Sequence, residues 1–195
     1  MTNLRQVYFN GQLVGEVPNT GDHEVDLAAS EKLLRDRGLL RGVTPAQATF
    51  QQAYSFAKLS SQIYREHLTK VPRGGFAVAP FIVNSAFAIE LYLKTIAQLH
   101  GSALRGHDLL ELYDALPSSA LAEIERTLSE VVTSDIKDII DFRAALGKMR
   151  STFVEWRYVH EGGEVSEVHF PSLILLLQIL HDTYRHRDET RTNRA

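Results

Sequence analysis

The sequence of 195 residues contains no cysteine. Disulfide frameworks, thiolate zinc sites and cysteine nucleophiles are therefore excluded, and a chain without cysteine suits a reducing compartment. The H-E-x-x-H, Walker A and G-x-G-x-x-G motifs are absent as well, so no zinc-protease, P-loop or dinucleotide-binding signature is present. From these absences we expect neither a cofactor nor a metal ion.

An excess of charge of one sign is also lacking. The chain has 21 basic and 24 acidic residues and a net charge of −3. Because the chain as a whole is not basic, an anionic partner would have to bind a local patch of basic residues. Hydrophobic residues make up 44% and charged residues 23% of the chain, which is typical of folded soluble proteins. This length and composition predict one globular domain with small additions.

Long hydrophobic runs are scarce. The longest, residues 170–180, is interrupted by Pro171, Ser172 and Gln178 and is shorter than the roughly 20 residues that a membrane span needs. Residues 1–12 lack the apolar core and the small-residue cleavage site of a signal peptide. We therefore expect a soluble, cytoplasmic protein without a membrane partner.

The first module, residues 1–21, is predicted to contain a β-hairpin. Residues 7–9 and 12–14 flank Asn10-Gly11, a dipeptide that readily adopts the positive φ angles of a type I′ turn. Both faces of this hairpin are partly apolar, and a hairpin alone is marginal in water. Two interpretations are open: the hairpin lies on the helical body, or its edge docks a partner or exchanges in a dimer. We expect one face to pack on the body and the other face, or the edge, to meet a second chain.

The second module, residues 22–195, is predicted to be helical throughout. The segment 77–100 is the most apolar in the chain, and an apolar surface this wide is typical of a central helix. Short connections between amphipathic segments predict a mainly α fold, an antiparallel helical bundle. The segments are residues 24–37, 45–69, 77–100, 108–116, 118–132, 134–147 and 171 onwards.

Three motifs place polar residues in these helices. E-L-x-L-K begins at Glu90, H-D-L begins at His107, and R-Y-x-x-E begins at Arg157. Their order and separation resemble the HEPN family (higher eukaryotes and prokaryotes nucleotide-binding), over roughly residues 45–187. The resemblance implies a bundle of four or five helices that is usually a homodimer. We expect its interface to use the apolar faces of the helices at 77–100 and 171–187.

The resemblance also implies an activity. Catalytic members of the family are metal-independent endoribonucleases with an R-x4-6-H motif in the dimer cleft, so RNA or nucleotide is the implied ligand and toxin or phage-defence systems the implied setting. This sequence departs from that motif, because only two residues separate Arg157 from His160. On a helix these two would share one face. Histidine suits the base that takes a 2′-hydroxyl proton, and arginine suits the cation that stabilises the phosphorane.

The candidate catalytic residues are therefore Arg157, His160 and Glu90. The same residues also fit a structural role, with Arg157 paired to Glu90 or Glu161, or the binding of a ligand without catalysis. Glu90 fits either an i,i+4 pair with Lys94 or a buried carboxylate that orients Arg157. The candidate substrate-binding residues are Arg150, Lys148, Arg143, His107 and Tyr158, although His107-Asp108 also fits a helix N-cap.

Two functions follow from these residues. The first is a dimeric HEPN-like protein that binds or cleaves RNA or nucleotide. The second is a catalytically inactive HEPN-like binding or regulatory module, which meets a cognate protein partner through its hairpin and dimer surface. A third interpretation is that the chain is an all-α scaffold unrelated to the HEPN family and that its motifs match by chance.

Overall fold

Helices make up most of the chain in the computed structural model, which describes residues 3–40, 42–72, 74–131, 141–150, 152–158 and 168–192. The prediction of a mainly α protein is confirmed. The chain divides into two compact units, Met1–Thr44 and Pro45–Ala195. The first unit thus contains a helix as well as the hairpin predicted for residues 1–21.

The predicted hairpin is present in the first unit. Strands β1 (Leu4–Phe9) and β2 (Gln12–Pro18) pair antiparallel, with Val7 opposite Gly15 and Tyr8 opposite Leu13. Asn10 and Gly11 form the turn with φ angles of 49° and 80°, so both adopt the positive φ that the dipeptide predicted.

The hairpin packs against helix α1 (His23–Asp36). The closest approach is at Gly15, where a Cβ atom would lie 3.1 Å from Cδ2 of Leu33. Opposed residues share a face of the sheet, so the face with Gly15 also carries Val7 and Val17, and both valines are buried. Helix α1 therefore covers one face of the hairpin.

A buried carboxylate joins the end of the hairpin to α1. Asp26 accepts hydrogen bonds from the hydroxyl of Thr20 at 2.7 Å and from its amide at 2.8 Å. These two bonds hold the pKa of the Asp26 carboxyl below its usual value. Asp22 caps α1 by accepting from the amides of Glu24 and Val25. Both aspartates fix where the helix begins relative to β2.

The described helices of the second unit are α2 (Pro45–Ile63), α3 (Val78–Leu99), α4 (Leu109–Asp114), α5 (Ser118–Val131), α6 (Phe142–Lys148), α7 (Thr152–Arg157) and α8 (Phe170–Thr192). A π turn, Tyr64–Leu68, extends α2, and a short 3₁₀ turn, Gly75–Ala77, precedes α3.

The second unit is built around α3. The stripe predicted from the sequence, which includes Ile82, Ile89 and Ile96, is at most 1% exposed. Helices α2, α4, α7 and α8 all pack on α3, so its predicted central position is confirmed.

The most apolar segment of the chain is also long enough to cross a bilayer. Gly75–Leu99 has this length and composition even though Glu90 and Lys94 interrupt its apolar sequence. Within the protein, however, 61% of its most apolar window is buried, as in the core helix of a soluble protein.

One helix prediction is wrong. The pattern from Ser134 to Gly147 predicted a single helix, but the helix here begins at Phe142. Asp141 has an extended backbone, with φ −77° and ψ 102°, and its carboxylate accepts from the amide of Ala144 at 2.8 Å. An aspartate in this role starts a helix and does not continue one. Residues 132–140 lie outside the described part of the chain.

An aromatic cluster joins α2, α3 and α8. The rings of Phe50 and Tyr184 stack with their centroids 3.6 Å apart, and Phe50 also stacks on His181 at 5.6 Å. Nδ1 of His181 lies 3.0 Å from the hydroxyl of Tyr92, which is fully buried. Burial lowers the pKa of His181, partly against the nearby charge of Asp182, and burial raises the pKa of Tyr92. The folded protein therefore favours a neutral imidazole here.

We expect the free energy of unfolding to fall as the pH drops from 7.5 to 5.5. Histidine in an unfolded chain titrates near pH 6.5, so the unfolded state takes up a proton before His181 does so in the folded state. The loss continues until the pH reaches the lowered pKa of folded His181. Urea unfolding followed by circular dichroism at both pH values measures it.

The variant His181→Asn should lose this part of the pH dependence, because it removes the group that titrates. The control His169→Asn replaces an exposed imidazole just before α8 and should keep the dependence of the unmodified protein. The same pH dependence in the unmodified protein and in His181→Asn would contradict the prediction.

Candidate functional site

Glu90 is a carboxylate in the core helix. It lies among buried apolar residues of α3, and only 2% of its side chain is exposed. Lys94, one turn later, places Nζ 2.7 Å from Oε1 of Glu90, which is the i,i+4 pair that the spacing predicted. The Lys94 side chain is 20% exposed, so this pair lies at the boundary between core and solvent. A carboxylate at this depth is costly to bury without such hydrogen-bond donors.

His107 is the second partner of Glu90. Its Nδ1 lies 3.1 Å from both carboxylate oxygens, while 68% of its side chain is exposed. When Nδ1–H donates to the carboxylate, the neutral ring carries its free lone pair on Nε2. Among the described residues, none is hydrogen-bonded to Nε2. A pair in which a carboxylate orients an accessible imidazole in this way is typical of a histidine that acts as a general base.

Asp108 holds His107 in this position by fixing the start of α4. Its carboxylate accepts from the amides of Leu110 and Glu111 at 3.0 and 3.1 Å, so the predicted N-cap is present. Nε of Arg150 donates to Asp108 at 2.7 Å. Burial raises the pKa of Asp108, but the amide hydrogen bonds and Arg150 outweigh this effect, and the pKa is lowered overall. Asp108 is therefore ionised at neutral pH.

The predicted basic group lies on α6 and just after it. Arg143 makes a bidentate ion pair with Asp114, at 2.8 and 2.6 Å. Arg150 pairs with Asp108, and Lys148 is exposed. Exposed ion pairs of this kind are weak, so a phosphate group can compete for the two arginines. Arg150 is the one that the structure ties to the residue following His107.

The predicted catalytic arginine lies on a helix that packs on α3. Arg157 is the last residue of α7, and α7 contacts the helix that carries Glu90. Tyr158 follows it and is 40% exposed. His160 and Glu161 lie outside the described residues. The convergence of Arg157, His160 and Glu90 in one cleft therefore stays a prediction.

A second polar cluster shows by contrast why His107 is the stronger candidate. Nδ1 of His100 lies 2.7 Å from the hydroxyl of Ser119, and its Nε2 lies 3.1 Å from Oε2 of Glu123. Arg187 of α8 also pairs with Glu123. Both ring nitrogens of His100 are thus occupied, and the cluster joins the end of α3 to α5 and α8. Its arrangement serves packing, whereas His107 keeps one nitrogen accessible.

The sequence predicts His107 as a substrate-binding residue and does not predict its contact with Glu90. A signal for the contact is present in the sequence, because a carboxylate on the most apolar helix needs a partner and an H-D-L motif follows at the start of the next helix. Seventeen residues separate the two, so only the path of the chain between α3 and α4 shows that they meet.

Within the described ranges, no three histidine, aspartate or glutamate side chains are grouped so that they could hold a metal ion. Comparisons with protein-family models, curated proteins and solved structures find no match to this chain.

Proposed function

We propose that this chain is a HEPN-like protein of the cytoplasm that binds RNA and cleaves it without a metal ion, as a homodimer of the toxin or phage-defence kind. The observation that carries the proposal is the contact between His107 and Glu90. A buried carboxylate orients an imidazole that is 68% exposed, so a base is held ready at the surface.

The reaction that fits this base is intramolecular transesterification of the RNA backbone, in which the 2′-oxygen attacks the adjacent phosphorus. Nε2 of His107 accepts the proton of a 2′-hydroxyl, and the 2′-oxygen then forms a bond to phosphorus. The bond from phosphorus to the 5′-oxygen breaks, and that oxygen leaves with a proton from solvent. The products are a cyclic phosphodiester and a 5′-hydroxyl. Glu90 stabilises the imidazolium that forms on His107, as buried carboxylates do in catalytic triads.

Positive charge is needed beside the phosphorus, and two arginines are candidates for it. Arg150 lies against Asp108, the neighbour of His107. Arg157 ends α7, which packs on the helix of Glu90. A guanidinium group can bind two phosphate oxygens at once, which suits the charge that develops in the transition state.

The meeting of the motif segments supports the HEPN-like interpretation. Glu90 from E-L-x-L-K contacts His107 from H-D-L directly and also accepts from Lys94 of its own motif. The helix that leads into R-Y-x-x-E packs on the same helix α3. The H-D-L segment and the helix that leads into R-Y-x-x-E thus both contact α3, the helix that carries E-L-x-L-K.

Incubating the purified protein with end-labelled single-stranded RNA in excess EDTA tests the proposal. We expect cleavage products that carry a cyclic phosphate, because the attacking oxygen is the 2′-hydroxyl. The matched substrate with 2′-deoxyribose throughout should not be cut. Cleavage only after a divalent cation is added, or equal cleavage of the deoxy substrate, would overturn the mechanism.

A second candidate function is the inactive binding module, and the hairpin favours it. The face of the hairpin opposite α1 exposes Leu4, Tyr8 and Leu13, each more than half accessible. Apolar side chains grouped on one exposed face are typical of a surface that binds a protein. RNA binding without cleavage in the same assay would favour this candidate, with a cognate protein or a second copy as the partner.

A further inference from the structure

A cavity of about 510 Å³ lies between α2, α3 and α8. Its volume is in the range of small-molecule binding sites. Aromatic and aliphatic side chains form most of its wall, among them Tyr64, Phe81, Ile174 and Leu177. A ligand with an apolar body would fit this wall because its surface would be removed from water.

The two charged side chains that line the cavity are both cations. Lys58 and Arg65 line it, both residues are exposed, and none of the lining residues is an aspartate or glutamate. Among the described residues, the side chain of Arg65 makes one hydrogen bond, from Nε to the carbonyl oxygen of Ser61 at 3.3 Å. Neither cation therefore has a counter-ion among the described residues that line the cavity.

A third donor comes from the hydrogen bond between Tyr92 and His181. Their 3.0 Å contact uses one proton of the pair, supplied either by the phenol or by Nδ1–H. In the first case Nε2–H of His181 remains as a donor, and in the second case the phenol hydroxyl remains. Either tautomer thus leaves one further donor, and both residues line the cavity.

We propose that this cavity binds an amphipathic anion, a small aromatic or aliphatic acid whose charged group meets Lys58 and Arg65 and whose body contacts the apolar wall. The site is separate from the Glu90 site. Tyr92 and Glu90 are two positions apart on α3, and a helix turns about 100° per residue, so the two side chains point to nearly opposite sides.

A matched pair of fluorescent probes tests the proposal on the full-length protein. Anilinonaphthalene sulfonate is an aromatic anion, and N-phenylnaphthylamine has nearly the same ring system without the charge. We expect one molecule of the anion to bind per chain. The double variant Lys58→Ala/Arg65→Ala should weaken binding of the anion by about tenfold or more, because charge-assisted hydrogen bonds are lost, and should leave the neutral probe nearly unchanged. The control Lys32→Ala/Arg37→Ala removes two exposed cations from the first unit and should alter neither affinity.

A second variant tests the cavity itself. Gln178 lines the cavity but is exposed, so Gln178→Trp should fill the space, exclude both probes and leave the circular dichroism spectrum unchanged. Failure of the anion to bind, or equal loss of both probes in Lys58→Ala/Arg65→Ala, would overturn the proposal. Dissociation of a dimer by Gln178→Trp would also overturn the proposal, since a second copy of the chain would then cover the cavity.

Discussion

Replacing His107 by alanine is expected to slow RNA cleavage by about 10²–10⁴-fold, the usual contribution of a general base. Of the side chains of Glu90, Lys94 and His107, only the imidazole is largely exposed and can reach a substrate. Its loss therefore removes the proposed base. The expected loss is in kcat, measured under single-turnover conditions in EDTA. KM should change little, because the contacts proposed for the phosphate come from Arg150 and Arg157.

The matched control is His23→Ala, which removes an exposed imidazole at the start of α1 in the other unit. It should cleave RNA at the rate of the unmodified protein. Cleavage by His107→Ala at an undiminished rate would show that another residue is the base. His107→Ala should also melt close to the unmodified protein, since the ring is mostly exposed.

In the proposed mechanism Glu90 acts through His107 as a positioning residue, and variants of Glu90 separate that role from packing. Glu90→Gln keeps an oxygen that can accept from Nδ1–H but removes the charge that stabilises the imidazolium. We therefore expect Glu90→Gln to lower kcat while KM stays nearly constant. A purely structural Glu90 would leave kcat of the folded Glu90→Gln protein unchanged.

Truncating the same side chain is expected to have the largest effect on stability. Glu90→Ala should lower the free energy of unfolding by roughly 3 kcal/mol, because it leaves Lys94 without its carboxylate and opens a cavity in the core. For a chain of this size that corresponds to a fall in Tm of about 6–12 °C. Urea unfolding and thermal melting at pH 7.5 measure both quantities.

The control for this loss is another glutamate in an i,i+4 pair. Glu130 pairs with Arg126 at 2.9 Å, but both side chains are about half exposed. Glu130→Ala should therefore cost less than about 1 kcal/mol. Equal losses from the two variants would mean that burial does not strengthen the Glu90 contacts.

Local sequence patterns predicted several elements of the fold correctly, because each of these elements depends on interactions within a few residues. The dipeptide Asn10-Gly11 determines the hairpin turn because few other pairs adopt two positive φ angles without strain. Asp108 starts α4 because its short carboxylate reaches the first free amides of the helix. The apolar stripe on α3 identified the central helix, since a surface so apolar must be buried.

The failed prediction shows the limit of such patterns. The isoleucines between Ser134 and Phe142 suggested a helix that continued to Gly147, but Asp141 caps a new one. An aspartate can lie within a helix or cap it, and a capping side chain contributes only about 1 kcal/mol to the stability of the helix. Apolar periodicity alone could not distinguish them.

The candidate site depended on contacts that no local pattern contains. The sequence by itself placed Glu90 on the most apolar helix, where a buried carboxylate would need a partner, but it left open whether Glu90 is buried or pairs with Lys94 at the edge of the core. The structure shows that both hold, since Glu90 is buried and pairs with Lys94. The sequence did not determine that His107 is a further partner, or that Tyr92 pairs with His181 across 89 positions. Those pairs form because α3 packs against the start of α4 on one side and against α8 on another. Helix propensity and apolar spacing act within a few residues, whereas the direction in which each helix returns to the core depends on the packing of the whole unit.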